Sequence, residues 1–276
     1  PKGYAAFILF PHLKMIPPVK ILKMKLHSLK ISGGTVDHEL ALCGRELVRH
    51  CKFEQPGQLL DHDLGEIVTA CFRGEDSALD ATFICRQLKT ALLGRRITSY
   101  NYRRLLEGLF QTQPTISLSE FLGDQLASEI DSDIYSFDSS PRSPLDAMPT
   151  ETLIAWAEID SPARFPQLAS SITPFMNGKD QGTIVWTPTA LQIIKLAPDR
   201  IATLNKFRLQ SPPNTWSGSL ANILESRRKL LHALMSDSDP KVVSWARKQD
   251  AELSKQIEKV REQESVKQRR ADQTFE

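Results

Sequence analysis

The residues best suited to binding a metal ion are cysteines and histidines in the first third of the chain. A zinc site needs four converging ligands, which usually come in pairs two to four residues apart. Only His50 and Cys51 approach that pattern, and neighbouring residues on a helix point about 100° apart. The cysteines instead lie on apolar helical faces, as reduced, buried thiols of a cytoplasmic protein do. We therefore expect no metal site and no disulfide among His38, Cys43, His50, Cys51, His62, Cys71 and Cys85.

The triplet Asp61-His62-Asp63 could support catalysis, with carboxylates orienting a histidine that acts as a general base. It also precedes an expected helix start, where an aspartate can cap main-chain N–H groups and complement the helix dipole. The chain contains no nucleophile-elbow, zinc-protease, phosphate-loop or dinucleotide-binding motif. We expect a non-enzymatic protein with no catalytic residue and no cofactor, and a hydrolase built on the triplet is the enzymatic alternative.

Two basic regions could contact nucleic acid. The first 36 residues hold six lysines and no acidic residue. The second region combines arginines with Tyr100 and Tyr102, which suits phosphate contacts and base stacking. The same residues equally suit an ordinary amphipathic helix whose arginines face solvent. The overall charge of +2 adds no sign of a nucleic-acid partner. The candidate contacts are Lys20, Lys23, Lys25, Lys30, Arg95, Arg96, Arg103 and Arg104.

The chain that must position these residues has a mostly helical pattern. From Thr35 onward, apolar residues recur every three to four positions, which indicates amphipathic helices joined by short polar turns. Ser117-Leu-Ser-Glu120 has the spacing of a capping box and predicts a helix that continues to Ile130. Thr187-Pro188 and Asp239-Pro240 each place a capping oxygen before a proline at the first helical position.

A stretch rich in Ser, Asp and Pro divides the chain. We expect an irregular or β-containing basic segment over residues 1–34, a helical subdomain over 35–130, a linker over 131–149 and a helical-repeat subdomain over 150–276. Within the first segment, residues 19–26 could form a strand or a short helix, because their apolar residues fit neither period cleanly. No apolar stretch approaches the roughly 18 residues that a membrane span needs, and no secretory signal is present, so we expect a cytoplasmic protein and no membrane partner. Because the chain does not begin with Met, we expect a fragment of a larger protein.

The tryptophans indicate a repeat. Trp186 and Trp216 lie 30 residues apart and open two phrases that match in residue type: Trp-Thr-Pro-Thr-Ala-Leu-Gln-Ile-Ile and Trp-Ser-Gly-Ser-Leu-Ala-Asn-Ile-Leu. Trp156 and Trp245 extend this spacing by 30 and 29 residues. Such a period is typical of stacked helical units, and the alternative is two similar helix starts in an irregular helical domain. In a repeat, Trp186 and Trp216 would both be buried between consecutive hairpins.

The final helix changes character along its length. We expect residues 240 to about 260 to dock on the preceding helix and residues 261–276, which are almost wholly polar, to project or fray. The docking residues are Val243, Leu253, Ile257 and Val260, which should meet Leu220, Ile223, Leu224, Leu231 and Leu234.

The C-terminal quarter resembles a known family. Residues 211–221 read Ser-Pro-Pro-Asn-Thr-Trp-Ser-Gly-Ser-Leu-Ala and are followed by Glu225-Ser226-Arg227, by Asp-Pro-Lys-Val-Val-Ser-Trp-Ala at 239–246, and by a charged helix ending Thr274-Phe275-Glu276. This text resembles the C-terminal end of HEAT-like helical repeats in large bacterial multidomain proteins, several of them ATPases linked to anti-phage defence. The resemblance implies a fold and a setting, and it carries no catalytic residue.

Together these patterns predict an all-α fold of stacked, HEAT-like helical hairpins, an α-solenoid. The expected function is a scaffold that binds a protein partner or other domains of the same assembly, plausibly in bacterial antiviral defence. The alternative is a nucleic-acid-binding helical protein that uses the two basic regions at residues 20–30 and 95–104.

Overall fold

The structure, a computed structural model, describes residues 16–53, 58–123, 143–178, 183–207, 209–210 and 217–274. This part of the chain is mostly helical and contains one small antiparallel hairpin, in agreement with an all-α prediction. It divides into two compact units, one ending at Trp156 and the other beginning at Ala157. Within the same ranges, no helix is both long and apolar enough to cross a bilayer.

The first unit consists of helices joined by tight turns, three of which are 3-10 turns. The helices are α1 (Ile16–Ile31), α2 (His38–Arg49), α3 (Gln58–Cys71), α4 (Ala78–Leu93), α5 (Arg103–Thr112), α6 (Pro114–Leu122) and α7 (Thr150–Glu158), the last of which crosses the unit boundary. The 3-10 turns are Glu75–Ser77, Ser99–Tyr102 and Pro144–Ala147. Most of the expected linker over 131–149 lies outside the described residues, and its last turn contributes the buried Leu145 to the core.

Helix α1 corrects the expectation of an irregular or β-containing segment over residues 1–34. Val19, Leu22 and Leu26 are buried at intervals of three and four, so one face of the helix reaches the core. Pro17 and Pro18 fall in the first turn, where a missing N–H breaks no hydrogen bond within the helix. Of the strand and the short helix that were both open for residues 19–26, the helix forms, and it extends over 16–31 in place of an irregular segment. Residues 1–15 lie outside the described part.

Helix α6 corrects a second expectation. It begins at Pro114, which suits the first helical position, so Ser117 lies inside the helix and is buried. Glu120 does not complete a capping box and instead forms an ion pair with Arg86 on α4, at 2.9 Å. The helix ends at Leu122, with Gly123 as its C-cap, and so stops short of the expected Ile130; residues 124–142 lie outside the described part.

Helices α3 and α5 approach each other closely at two glycines. A β-carbon on Gly65 would lie 2.8 Å from the main-chain carbonyl carbon and oxygen of Arg104, and one on Gly108 would lie 3.2 Å from the main-chain oxygen of Gly65. Gly65 has no room for a side chain, and a side chain at Gly108 would require its neighbours to shift. This crossing brings the backbones of the two helices into contact, and the surface above it forms a depression.

The second unit contains helices and the hairpin. Its elements are α8 (Ser161–Ser171), β1 (Phe175–Asn177), β2 (Ile184–Trp186), α9 (Pro188–Leu196), α10 (Arg200–Leu204), α11 (Leu220–Leu234) and α12 (Pro240–Thr274). The strands pair with Phe175 opposite Trp186 and Met176 opposite Val185. Helix α8 ends at Ser171, before Pro174, which biases Thr173 away from helical geometry.

The predicted cap at Thr187 is confirmed: its hydroxyl accepts a hydrogen bond from the Ala190 N–H at 3.2 Å, and Pro188 takes the first helical position. Trp186 is 5% exposed, as expected, and its indole N–H donates to the Leu230 carbonyl at 2.9 Å. Its ring meets Phe207 edge to face with centroids 5.3 Å apart. The same expectation for Trp216 lies outside the described residues.

Helices α11 and α12 form an antiparallel hairpin. Leu253 and Ile257 are buried as predicted, whereas Val242, fully buried, takes the place expected for Val243. The helix does not fray after residue 260 but continues to Thr274, with most side chains of residues 261–270 exposed. Glu264 is the exception: its carboxylate accepts hydrogen bonds from the Leu220 N–H at 2.6 Å and the Ser219 hydroxyl at 2.7 Å, at the start of α11.

Candidate interaction groove

An open groove of about 910 Å³ lies on the first unit beside α1, α3 and α5. Gly65 and Gly108, the two glycines of the helix crossing, lie on its floor together with Thr69 and Ala70. The Thr69 hydroxyl donates a hydrogen bond to the Gly65 carbonyl at 2.8 Å, so these two polar groups of the floor are paired with each other. The groove lies where α3 and α5 touch through backbone atoms at these glycines. We call it the α3–α5 groove.

The walls of the groove mix apolar and basic side chains. The apolar ones come from α1, the turn after it and the start of α2, and they are Leu26, Leu29, Val36 and Ala41. The basic groups are His27, Lys30, His62, Arg73 and Arg104. His27 and Lys30 lie three residues apart on α1 and so share a face.

Both glutamates that line the α3–α5 groove are already paired with cations. Glu107 accepts from Arg103 Nε at 2.9 Å and from an Arg104 terminal nitrogen at 3.1 Å. Glu66 lies 3.5 Å from the Lys23 ammonium. By contrast, no carboxylate among the described residues lies within ion-pair distance of Lys30 or Arg73, whose Nε donates to the Thr69 carbonyl at 3.0 Å. The groove therefore carries excess positive charge.

The structure brings some of the predicted nucleic-acid residues together and separates the others. Lys30 and Arg104 line the α3–α5 groove, and Lys23 and Arg103 form ion pairs with its glutamates. The remaining four lie apart from its lining: Lys20 and Lys25 are exposed on α1, and Arg95 and Arg96 are exposed in the turn after α4.

Tyr102 does not offer a surface for base stacking. It is 1% exposed and meets Phe53 edge to face, with ring centroids 5.1 Å apart. Burial raises the pKa of its hydroxyl to about 12. Tyr102 is therefore a core residue, and the aromatic part of the second basic region is not available to a nucleic acid through this side chain.

The side chains of the Asp61-His62-Asp63 triplet contact two other helices of the first unit, α1 and α5. Asp61 is buried and accepts hydrogen bonds from the N–H groups of Arg104, at 3.0 Å, and Leu105, at 2.9 Å, so it caps α5 from a neighbouring helix. Asp63 accepts a 2.6 Å hydrogen bond from Lys23, whose ammonium lies 3.2 Å from His62 Nδ1. A capping role was expected, but the capped helix is α5 and the triplet itself lies within α3.

Burial raises the pKa of the Asp61 carboxyl, while its two N–H donors act in the opposite direction. Burial also raises the pKa of Cys51, Cys71 and Cys85 to about 12. A thiol with such a pKa stays protonated near neutral pH and is a poor nucleophile. Within the described ranges, no three His, Cys, Asp or Glu side chains converge as a metal site would require.

Sequence reasoning missed His27, Arg73 and the floor glycines. His27 and Lys30 could have been found together as a three-residue pair on one helix, had α1 been recognised. Arg73 follows the last turn of α3 and has no sequence neighbour that marks it. No family model, curated protein or solved structure matches the chain.

Proposed function

We propose that this protein is a non-enzymatic helical interaction module that binds a segment of a protein partner in the α3–α5 groove. The observation that carries the proposal is the groove itself, which combines a floor of backbone and small side chains with apolar walls and basic groups. Concave sites with apolar lining and a few polar groups are typical binding sites. An amphipathic segment laid into a helical groove is a recurring mode of peptide recognition.

The setting that we propose is a larger bacterial assembly in antiviral defence, with HEAT-like stacking of the second unit. Its support is the resemblance of residues 211–276 to the ends of HEAT-like repeats. The α11–α12 hairpin is consistent with it, since a helical hairpin is the unit from which such repeats are built. In that setting the second unit would join the chain to its assembly and the groove would hold the partner.

The alternative function, nucleic-acid binding, is favoured by the presence of Lys30 and Arg104 in one groove. The same groove contains Glu66 and Glu107, whose carboxylates would repel phosphates, and Arg104 is already paired with Glu107. Nucleic-acid binding depends on many cations without competing acids, because each phosphate contact releases counterions. These contacts favour a protein segment over a polyanion.

A display selection tests the main proposal. A library of random peptides is selected on the wild-type protein and, in parallel, on Ala70→Trp, whose indole would fill the α3–α5 groove while the helix remains. Circular dichroism first establishes that the variant is folded. We expect selected peptides to bind the wild type and to lose binding to Ala70→Trp. Binders that do not distinguish the two proteins would contradict the proposal.

A salt titration tests the alternative. Fluorescence anisotropy measures binding of a single-stranded and a double-stranded oligonucleotide at increasing salt, with the wild type and with a variant in which Arg103 and Arg104 are changed to Glu. Affinity that falls steeply with salt and is lost in the variant would establish nucleic-acid binding. We expect weak binding and little difference between the two proteins.

A further inference from the structure

The α3–α5 groove has cations that nothing in the described structure neutralises. No described carboxylate pairs with Lys30 or Arg73, and both glutamates of the groove are already engaged: Glu107 by Arg103 and Arg104, and Glu66 by Lys23. A partner carrying carboxylates would supply the missing negative charge. A neutral partner would leave these cations beside it unpaired.

The same groove also limits the number of negative charges that a bound partner can carry. Among the described residues, Lys30 and Arg73 are the lysine and arginine of this groove that no carboxylate pairs with, and the two glutamates remain in its lining. A nucleic acid would place a phosphate at every nucleotide and would bring several of them towards Glu66 and Glu107. A peptide, in contrast, can carry carboxylates at the positions that face the cations and no charge elsewhere. It can also place apolar side chains against Leu29, Val36 and the glycine floor.

On the basis of the proposed function, we infer that the partner segment is acidic and amphipathic, with carboxylates that pair with Lys30 and Arg73 and apolar side chains that enter the α3–α5 groove. Charge pairs at the edge of an interface contribute mainly to specificity and association rate, while the buried apolar contacts supply most of the affinity. The inference therefore predicts a preference among peptides that share the same apolar residues.

The test uses three fluorescein-labelled peptides that differ only in their charged positions. Each has Leu at helical spacing on one face and Glu, Gln or Lys on the other. Anisotropy measures binding to the full chain, to a variant with Lys30→Glu and Arg73→Glu, and to a control with Lys20→Glu and Lys52→Glu. The control changes the same number of charges at exposed positions outside the groove. Thermal unfolding shows that all three proteins are folded.

We expect the Glu peptide to bind the wild type and the control alike, and to bind the groove variant about tenfold more weakly. The Lys peptide should prefer the groove variant to the wild type, since reversal of the protein charges then matches the reversed peptide. This exchange of preference is not expected from a variant that has merely lost structure.

Three results would overturn the inference in distinguishable ways. Equal binding of the Glu and Gln peptides, both blocked by Ala70→Trp, would show a groove that binds protein segments without regard to charge, so the proposed function would stand and the acidic partner would not. Binding of a deoxythymidine oligonucleotide that Lys30→Glu and Arg73→Glu abolish, with no peptide bound, would remove both. Failure of the Glu peptide to bind at all overturns the acidic partner.

Discussion

The main-chain oxygen of Gly65 lies 3.2 Å from the position that a β-carbon on Gly108 would occupy, so α3 and α5 touch through their backbones. This contact sets the depth of the α3–α5 groove, since larger residues would hold the helices apart. It also brings Asp61 within reach of the first N–H groups of α5. Packing, capping and the shape of the groove thus depend on one crossing.

We expect Gly65→Ala to destabilise the first unit by about 2 kcal/mol, because its β-carbon would lie 2.8 Å from backbone atoms of Arg104 that cannot move aside. Chemical denaturation followed by circular dichroism measures the change. The matched control is Gln111→Ala, an exposed position on α5, which should change stability by less than about 0.5 kcal/mol. A Gly65→Ala protein as stable as the control would show that the crossing is looser than described.

Asp61 and Asp63 should differ in their contribution to stability. Asp61→Ala leaves two N–H groups of α5, one buried and one partly buried, without their acceptor, and we expect a loss of about 2 kcal/mol. Asp61→Asn keeps one acceptor and should cost less. Asp63→Ala removes an ion pair with the partly exposed Lys23 and should cost less than about 1 kcal/mol. The reverse order, measured by thermal unfolding, would contradict the structural role of Asp61.

Trp186 should be the most sensitive tryptophan that the structure describes in the second unit. Trp186→Ala removes a buried ring and should cost about 3 kcal/mol. Trp186→Phe removes only the indole hydrogen bond to the Leu230 carbonyl and should cost about 1 kcal/mol. Trp245 donates to the Asn205 side chain at an exposed position, so Trp245→Phe is the control. A smaller loss for Trp186→Phe than for Trp245→Phe, in denaturant unfolding, would argue against the buried hydrogen bond.

Two truncations separate the capping role of Glu264 from the rest of the projecting helix. Removal of residues 265–276 keeps Glu264 and should leave the melting temperature unchanged. Removal of residues 262–276 also deletes this carboxylate, and the Leu220 N–H and the Ser219 hydroxyl lose their acceptor. We expect a lower melting temperature in the second case only. Glu264→Gln in the full chain, compared with Glu262→Gln, isolates the same contact.

Acid should weaken the second unit through the Arg228–Asp250 pair. The Arg228 guanidinium, at 2.8 and 2.9 Å, holds the pKa of the Asp250 carboxyl below its ordinary value of 3.8, and His232 adds to this effect. A depressed carboxyl pKa means that the stabilisation is present above pH 3.8 and is lost as pH falls through the folded-state value. Asp250→Asn should cost about 1 kcal/mol at neutral pH.

The difference in unfolding free energy between the wild type and Asp250→Asn should narrow as pH falls below about 4, because the Asp250 carboxyl then takes up a proton in the unfolded chain before it does so in the folded one. Glu258→Gln, at an exposed position of α12, should show no such narrowing. A constant difference across the acid range would show that Asp250 acts through its shape and not through its charge.

Local signals predicted the local structure well. Apolar periodicity indicated most of the helices, and the Thr187-Pro188 pair marked the start of α9, because the cap and the helix it caps are neighbours in the chain. For α1 the sequence left a strand and a short helix open, since interspersed lysines obscure its apolar stripe, to which Val19, Leu22 and Leu26 contribute buried side chains. The hairpin was missed because three-residue strands leave almost no period to detect.

The candidate site could not have been predicted in the same way. Asp61 meets its partners on α5 43 and 44 residues further along the chain. Glycine inside a helix reads as a local weakness, yet Gly65 and Gly108 are favourable where two helices cross. Lys30 and Arg73 come from separate helical regions and share a groove only after α1 and α3 pack. None of these relationships has a short-range pattern.

The contact between Glu264 and the start of α11 links the length of α12 to the length of α11 within the second unit. Leu253, Ile257, Val260 and Glu264 follow one another at intervals of four, three and four on α12, so the carboxylate continues the line of the docked side chains. A one-residue insertion after Ile257 would rotate Glu264 by about 100° and carry it away from Leu220. Only insertions of whole turns, matched in both helices, keep the contact, so among descendants of this chain the lengths of α11 and α12 should change together.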